Sequence, residues 1–520
     1  MFCRVHGAFC SGINGRLIQV EADVSDGLPV FQIIGELAGE VREAAPRVRT
    51  ALRNTGYRIP AKRITVNLSP ADVRKTGTGF DLPISIAILC CLDYISHVVT
   101  EKKVLIGELS LNGEILPVRG VLPMVEQSAR EGMEVCLVPE DNLDEALLVR
   151  GICVIGVRHL KDAVAALFKP RERLEEEQRR YSQRSFDSED PVNPYPDFAD
   201  MIGQQPLKRC GMIAAAGWHH LLIVGPPGTG KTMAARRIAG ILPPMDREEQ
   251  MEVTKIYSVA GKWKDRKKLM GLRPFRNPHH TISEKALIGG MASPRPGEVS
   301  LAHKGVLFLD ELTEYKRSTL EAMREILEMR ETVVNRLQED CCFPADILLV
   351  AAMNPCPCGY YPDRRRCMCS SSQIRRYMGK LSHAFLDRMD LCISAQRMSS
   401  DALREDGYTS DFMREAVLKA VQIQEERFSG KGIRFNGQME DDLIDEFCIL
   451  DRETKRLMGE AYDRLHLSFR SCRKVLKVAR TIADLERSEV IQAEHLAEAL
   501  CYRYTEGVYG EFQDTDGFRP

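Results

Sequence analysis

Apolar positions change their spacing several times along the chain, and each change marks a different kind of element. In residues 1–168, runs of strand length alternate with stretches of helical spacing. Residues 17–22, Phe31–Ile34, 63–68 and Val135–Pro139 predict strands, while 39–54 and 82–94 predict helices. Pro46 falls inside the first helical stretch and predicts a kink or a late start. Residues 169–190 are charged with little apolar periodicity, which predicts a linker with one or two exposed helical turns. A helix over 206–217 then leads to short, wholly apolar runs at 221–224, 306–309 and 347–352, the pattern of central parallel strands. From Asp411 the pattern is helical, over 412–426, 443–449, 453–465, 467–485 and 493–500.

This order predicts an α/β protein: an α+β unit at 1–168, a charged linker at 169–192, a parallel-sheet domain at 193–398, a helical domain at 399–510 and a tail at 511–520. Residues 82–100 are the most apolar run, but Pro83, Asp93 and His97 interrupt it, so it reads as a buried helix and no membrane span is expected. With 44% hydrophobic and 28% charged residues and a net charge of −2, the chain is globular and has no global pull toward nucleic acid. Any DNA-binding surface must be local. Seventeen scattered cysteines predict reduced thiols, and the first residues lack a secretory leader, so a cytoplasmic location is expected.

The run at 221–224 is followed by Gly225, Pro226, Pro227, Gly228, Thr229, Gly230, Lys231 and Thr232, which fits G-x-x-x-x-G-K-[ST] without mismatch. The glycines let backbone N–H groups turn inward around phosphate oxygens. Lys231 is placed on the β and γ oxygens, Thr232 on Mg²⁺, and the next helix points its positive end at the anion, so ATP or GTP is the expected ligand. The run at 306–309 ends in Asp310, suited to Mg²⁺, and Glu311, suited to orient the attacking water. Asn354, at the end of the 347–352 strand, is placed to position that water or sense the γ-phosphate.

Just after it stand Cys356, Cys358, Cys367 and Cys369, two C-x-C pairs among Tyr, Asp and Arg. They read as a structural Zn²⁺ site, with free or redox-active thiols as the competing reading. Arg364, Arg365, Arg366, Arg375 and Arg376 form the densest positive patch, and with Tyr360 and Tyr361 they suit either nucleic-acid contact or a solvated loop. His279 and His280 are adjacent and suit a structural or nucleotide-proximal loop better than a metal. Residues 331–337 and 342–346 predict a β-hairpin.

Several of these stretches carry a family resemblance. Residues 105–145, with IGELSLNGEI and LVPEDN, resemble the Lon proteolytic domain and its S5-like fold. That pattern puts the nucleophilic serine near Gly79 and the lysine at Met124, so the resemblance implies a non-proteolytic descendant serving interaction, assembly or DNA contact. Thr78 and Lys75 nearby read as surface polar groups. RPFRNPHHT at 273–281, ALIGG at 286–290, PRPGEVSLAH at 294–303 and GVLFLDEL at 305–312 closely resemble the magnesium-chelatase branch of AAA+ proteins, and the chain is identified as a member of the YifB/ComM family.

The resemblance implies that Ile202, Gly203 and Gln204 pack on adenine, that Arg336 on the hairpin lines a central pore, and that Arg388 is an arginine finger reaching a neighbouring subunit. It implies further that Arg470 is a second sensor of the γ-phosphate, while Arg473, Lys474, Lys477 and Arg480 read as solvated. A finger in trans implies a homo-oligomeric ring, most simply a hexamer. The implied function is an ATP- and Mg²⁺-dependent motor on branched or single-stranded DNA, a branch-migration helicase or translocase in recombination or DNA uptake. The alternative is a protein-remodelling ATPase without peptidase activity, with partners through the first domain. Metal insertion into porphyrin rests on motor kinship alone and is set aside.

Overall fold

The computed structural model describes residues 2–71, 73–185, 193–290, 295–334, 341–395 and 408–503. A seven-stranded sheet opens the chain. Its strands run in the order Phe31–Ile34, Arg63–Ser69, Asn14–Ser25, Phe2–Ser11, Lys103–Leu105, Val135–Pro139 and Cys153–Val157. The centre is an antiparallel hairpin of Phe2–Ser11 on Asn14–Ser25, and the last three strands are parallel to their neighbours. Along Asn14–Ser25, Ile18, Val20, Ala22 and Val24 alternate into the core, as a strand with one packed face requires. Helix Asp81–Cys91 is buried at every position, so the long apolar run is a core helix. Gly15 is obligatory in the sheet because a Cβ there would lie 2.1 Å from the carbonyl oxygen of Pro123.

Pro46 acts as expected. A short helix, Gly39–Arg42, gives way to Ala44–Asn54, and the proline sits in the first turn of the second, where its missing N–H costs nothing. The charged interval departs from expectation. It forms helix Arg171–Ser185, docked by fully buried Leu174, by Gln178 accepting from Val154 N (3.1 Å) and by Tyr181 donating to Asp144 (3.1 Å). One leucine and two polar contacts leave no apolar period to read. Lys75 also departs: it is fully buried, and its ammonium donates to the Pro70 carbonyl.

The second large sheet has five parallel strands in the order Phe275–Arg276, Val306–Leu309, Leu348–Met353, Leu221–Val224 and Leu391–Ser394. Leu221, Leu222 and Ile223 and all of Val306–Leu309 and Leu348–Met353 are buried, which explains why these segments are apolar throughout. Helices Gln205–Gly217 and Lys231–Ile241 share one core with the C-terminal helices Ser410–Arg427, Asp441–Phe447 and Phe469–Leu485. Helix Arg317–Met329 covers the other face. The hairpin pairs Glu331–Val334 with Cys341–Pro344; Arg336 lies outside the described residues.

Helix Phe469–Leu485 corrects the reading of its basic residues. Lys474 pairs with Asp390 (2.9 Å), Lys477 donates to the Gly437 carbonyl (3.3 Å), Arg473 pairs with Asp445, and Arg480, 2% exposed, pairs with Asp484 (3.0 Å). The polar face of this helix meets Asp390 and Asp445 from other segments, the Gly437 carbonyl and its own Asp484, so polarity did not mean solvation. Helix Arg247–Ala260 joins the two large units. Its Val253, Ile256 and Tyr257 pack in one cluster with Val121, Val125 and Val138, and Lys255 pairs with Glu126. On its other side Glu249 binds Arg273 and Arg434, each at 2.8 Å. No helix among the described residues is long and apolar enough to cross a membrane.

Candidate functional site: the phosphate-loop cavity

In the parallel sheet, Leu221–Val224 lies beside Leu348–Met353, which in turn lies beside Val306–Leu309. Residues that leave the carboxyl ends of these strands therefore converge, the usual ligand position in an open α/β sheet. A cavity of about 360 Å³ opens there, lined by Pro227 to Met233, Asp310, Glu311, Met353 and Asn354. Gly228 and Gly230 have φ of +79° and +83°, conformations that let the loop turn its amides inward. Helix Lys231–Ile241 begins at the floor of this cavity, so its unpaired N–H groups face the same space.

The expected groups meet inside. Lys231 Nζ donates to the carbonyls of Gly225 (2.7 Å) and Pro226 (2.9 Å) and to Asn354 Oδ1 (3.2 Å). Thr232 Oγ1 donates to Asp310 Oδ2 at 2.8 Å. Burial pulls the Lys231 ammonium below its ordinary range, and Asp310 and Glu311 act against that. Glu311 stands at φ +51°, and its Oε2 is 3.1 Å from His280 Nδ1, which puts the histidine loop beside the nucleotide cavity. The Tyr315 hydroxyl pins that loop through the Pro278 carbonyl (2.8 Å). The loop and carboxylates can thus hold a nucleoside triphosphate with Mg²⁺ through Thr232 and Asp310, and Glu311 and Asn354 can flank an attacking water.

Met201, next to Ile202 and Gly203, brings its Cε within 3.2 Å of where a Cβ on Gly230 would lie, so the adenine segment borders the loop. Ile202 itself is half exposed.

Arg388 and Arg470 lie elsewhere. Both pair with Glu328, Arg388 at 2.5 Å and Arg470 at 3.4 Å, in a second cavity of about 470 Å³ between the sheet domain and the C-terminal helices. Neither lines the phosphate-loop cavity of its own chain. Burial would raise the Glu328 carboxyl, but Arg388 and then Arg470 hold it below the usual range. Arg388 Nε is buried without a hydrogen-bond partner. Glu328 escaped sequence reasoning because a lone glutamate on a helix carries no motif; its two arginines are 60 and 142 residues away.

Cys356, Cys358, Cys367 and Cys369 bring their sulfurs within 4.8 Å of one another. Cys356 Sγ is 3.3 Å from Cys358 Sγ and 3.8 Å from Cys367 Sγ, and Cys358 is 3.6 Å from Cys367. None of these four cysteines is in a disulfide. The Tyr360 backbone N–H, working against burial and with the neighbouring thiols, brings Cys358 down to about 6. Arg364, Arg365, Arg366, Arg375 and Arg376 are exposed, but Tyr361 is partly buried with Arg364 over its ring at 5.0 Å. A base would have to displace that arginine to stack there.

Family models for magnesium chelatase subunit ChlI match residues 197–403 and 20–142, and one for the ChlI C-terminal region matches 407–503. The chain is 39% identical over 502 residues to the Escherichia coli protein YifB, covering 96% of each. It is 40% identical over 509 residues to competence protein ComM of Haemophilus influenzae, covering 96% of this chain and 97% of that one. The chain belongs to the YifB/ComM family of magnesium-chelatase-like proteins. YifB of Salmonella typhimurium matches equally broadly, at 38% over 504 residues. Membership of this magnesium-chelatase-like AAA+ family suggests an ATPase.

Proposed function

We propose that the protein is an ATP-hydrolysing, Mg²⁺-dependent AAA+ motor, hexameric and cytoplasmic, that moves on branched or single-stranded DNA as a branch-migration helicase or translocase in recombination or DNA uptake. The observation that carries the ATPase reading is the single cavity that gathers Lys231, Thr232, Asp310, Glu311 and Asn354. The name of the ComM relative and the exposed arginines at 364–366, 375 and 376 support DNA as the track. A ring is supported by Arg388 and Arg470, which converge on one carboxylate away from their own chain's phosphate loop. Both then act on a neighbour's γ-phosphate. The first unit serves as a non-proteolytic Lon-like platform for protein or DNA partners: Gly79 has no side chain, and Met124 is buried in an apolar cluster. A structural Zn²⁺ on the four thiols completes the cofactor set.

The test is steady-state ATP hydrolysis with and without forked or four-way DNA, with Lys231→Ala as control. Stimulation by branched DNA that vanishes in Lys231→Ala supports the motor. Hydrolysis indifferent to every DNA structure overturns the DNA reading and favours protein remodelling.

A further inference from the structure

The ends of the loop 356–369 pack on the apolar core and backbone bonds shape its turns, and its four sulfurs are gathered between those ends. Residues 362–366 are exposed, and only Cys356 and Cys367 of the four thiols are fully buried. Four thiols gathered this closely in a polar loop match a specific object. A tetrahedral Zn²⁺ with Zn–S bonds of about 2.3 Å has S···S edges of about 3.8 Å, and the observed separations of 3.3, 3.6 and 3.8 Å lie near that edge. The Tyr361 backbone N–H donates to Cys356 Sγ (3.4 Å), the kind of outer bond that orients a thiolate ligand. A four-thiolate Zn²⁺ carries two net negative charges. Arg364 leans over that end of the loop, donating to the Cys369 carbonyl (3.2 Å).

The loop also joins two parts of the catalytic cavity. Cys356 follows Asn354 by two residues, and Asn354 accepts from Lys231. Gly359, at φ +83°, leaves so little room that a Cβ there would lie 2.7 Å from Pro227 Cδ of the phosphate loop. At the far end, Cys369 leads into helix Ser371–Met378, whose Tyr377 hydroxyl accepts from Thr313 Oγ1 (2.7 Å), two residues beyond Glu311. The thiol cluster therefore ties the strand end that bears Asn354 to the segment that follows Glu311.

We propose that Zn²⁺ bound by Cys356, Cys358, Cys367 and Cys369 is a strut of the nucleotide site: it holds Asn354 and the Gly359 turn against the phosphate loop, so that turnover depends on the metal. This role rests on the ATPase reading above. The metal site itself does not.

The experiment counts metal by mass spectrometry in the full chain without nucleotide or DNA, then compares wild type, Cys369→Ser and Cys369→His. Cys369 is at the rim of the cluster, and histidine is a competent zinc ligand. One zinc per chain is expected in wild type and in Cys369→His, with loss in Cys369→Ser. Trypsin should cut at Arg364–Arg366 in Cys369→Ser and spare the other two. The turnover number should fall about tenfold or more in Cys369→Ser, with the affinity for a fluorescent ATP analogue within about threefold and recovery in Cys369→His. Absence of zinc from wild type, or iron in its place, overturns the site. A zinc-free Cys369→Ser that turns over ATP like wild type overturns the strut. A wild-type chain that holds zinc but never hydrolyses ATP overturns the function proposed above and leaves the metal count standing.

Discussion

Thr232 Oγ1 and Asp310 Oδ2 meet at 2.8 Å although 78 residues separate them, so the phosphate-loop hydroxyl and the strand-end carboxylate converge on one point. Removing either partner should impair Mg²⁺·ATP use through the same ion. Thr232→Ala and Asp310→Asn are each expected to lower turnover roughly 100-fold. Their double mutant should be little worse than the poorer single, as measured by hydrolysis over a Mg²⁺ titration. Fully additive losses would place the two groups in separate roles.

Glu311 is separable from binding. Glu311→Gln keeps the size and the contact with His280 but cannot take a proton. ATP affinity should stay near wild type while turnover falls by about 10² to 10⁴, read by analogue binding and steady-state hydrolysis on one preparation.

The pairing of Arg388 and Arg470 with Glu328, away from their own chain's loop, predicts complementation between defective chains. Arg388→Ala and Lys231→Ala should each be inactive alone. A mixture should recover hydrolysis, because an intact Lys231 on one chain meets an intact Arg388 on the next. No recovery in co-assembled rings would place Arg388 outside the neighbour's site.

Glu145 gives a pH signature. Burial raises its carboxyl to about 7, against Arg266, the Asn142 amide and the Ser258 hydroxyl of helix Arg247–Ala260, which lower it. The folded chain then holds a proton that the unfolded chain releases near 4.5. The contribution of Glu145 to stability is greatest below 4.5, falls as pH rises toward 7 and levels off above it, by up to about 3 kcal/mol. Glu145→Gln should flatten that slope in denaturant melts from pH 5 to 8 and raise stability above pH 7.

What could be read in advance was local. Phe31–Ile34 and Val135–Pro139 match the strands to the residue, and the phosphate loop, Asp310, Glu311 and Asn354 share one cavity because parallel strands bring their carboxyl ends together. What escaped was tertiary. Helix Arg171–Ser185 docks through one leucine and two polar bonds, and Lys474 is paired because Asp390 lies opposite, 84 residues upstream. Strand Phe2–Ser11, central to the first sheet, was missed because Gly7 and Ala8 blur its alternation, and its pairing with Asn14–Ser25 over ten positions supplies what propensity lacks. Glu328 and the His280–Glu311 contact could be seen only in three dimensions.

Helix Arg247–Ala260 is gripped on one side by Val121 and Val125 and on the other by Arg273 and Arg434. A joint made of packed side chains and ion pairs does not swivel as a tether would. The seven-stranded unit is thus braced against the phosphate-loop domain rather than hung from it, so that any tilt of that domain carries the first sheet with it.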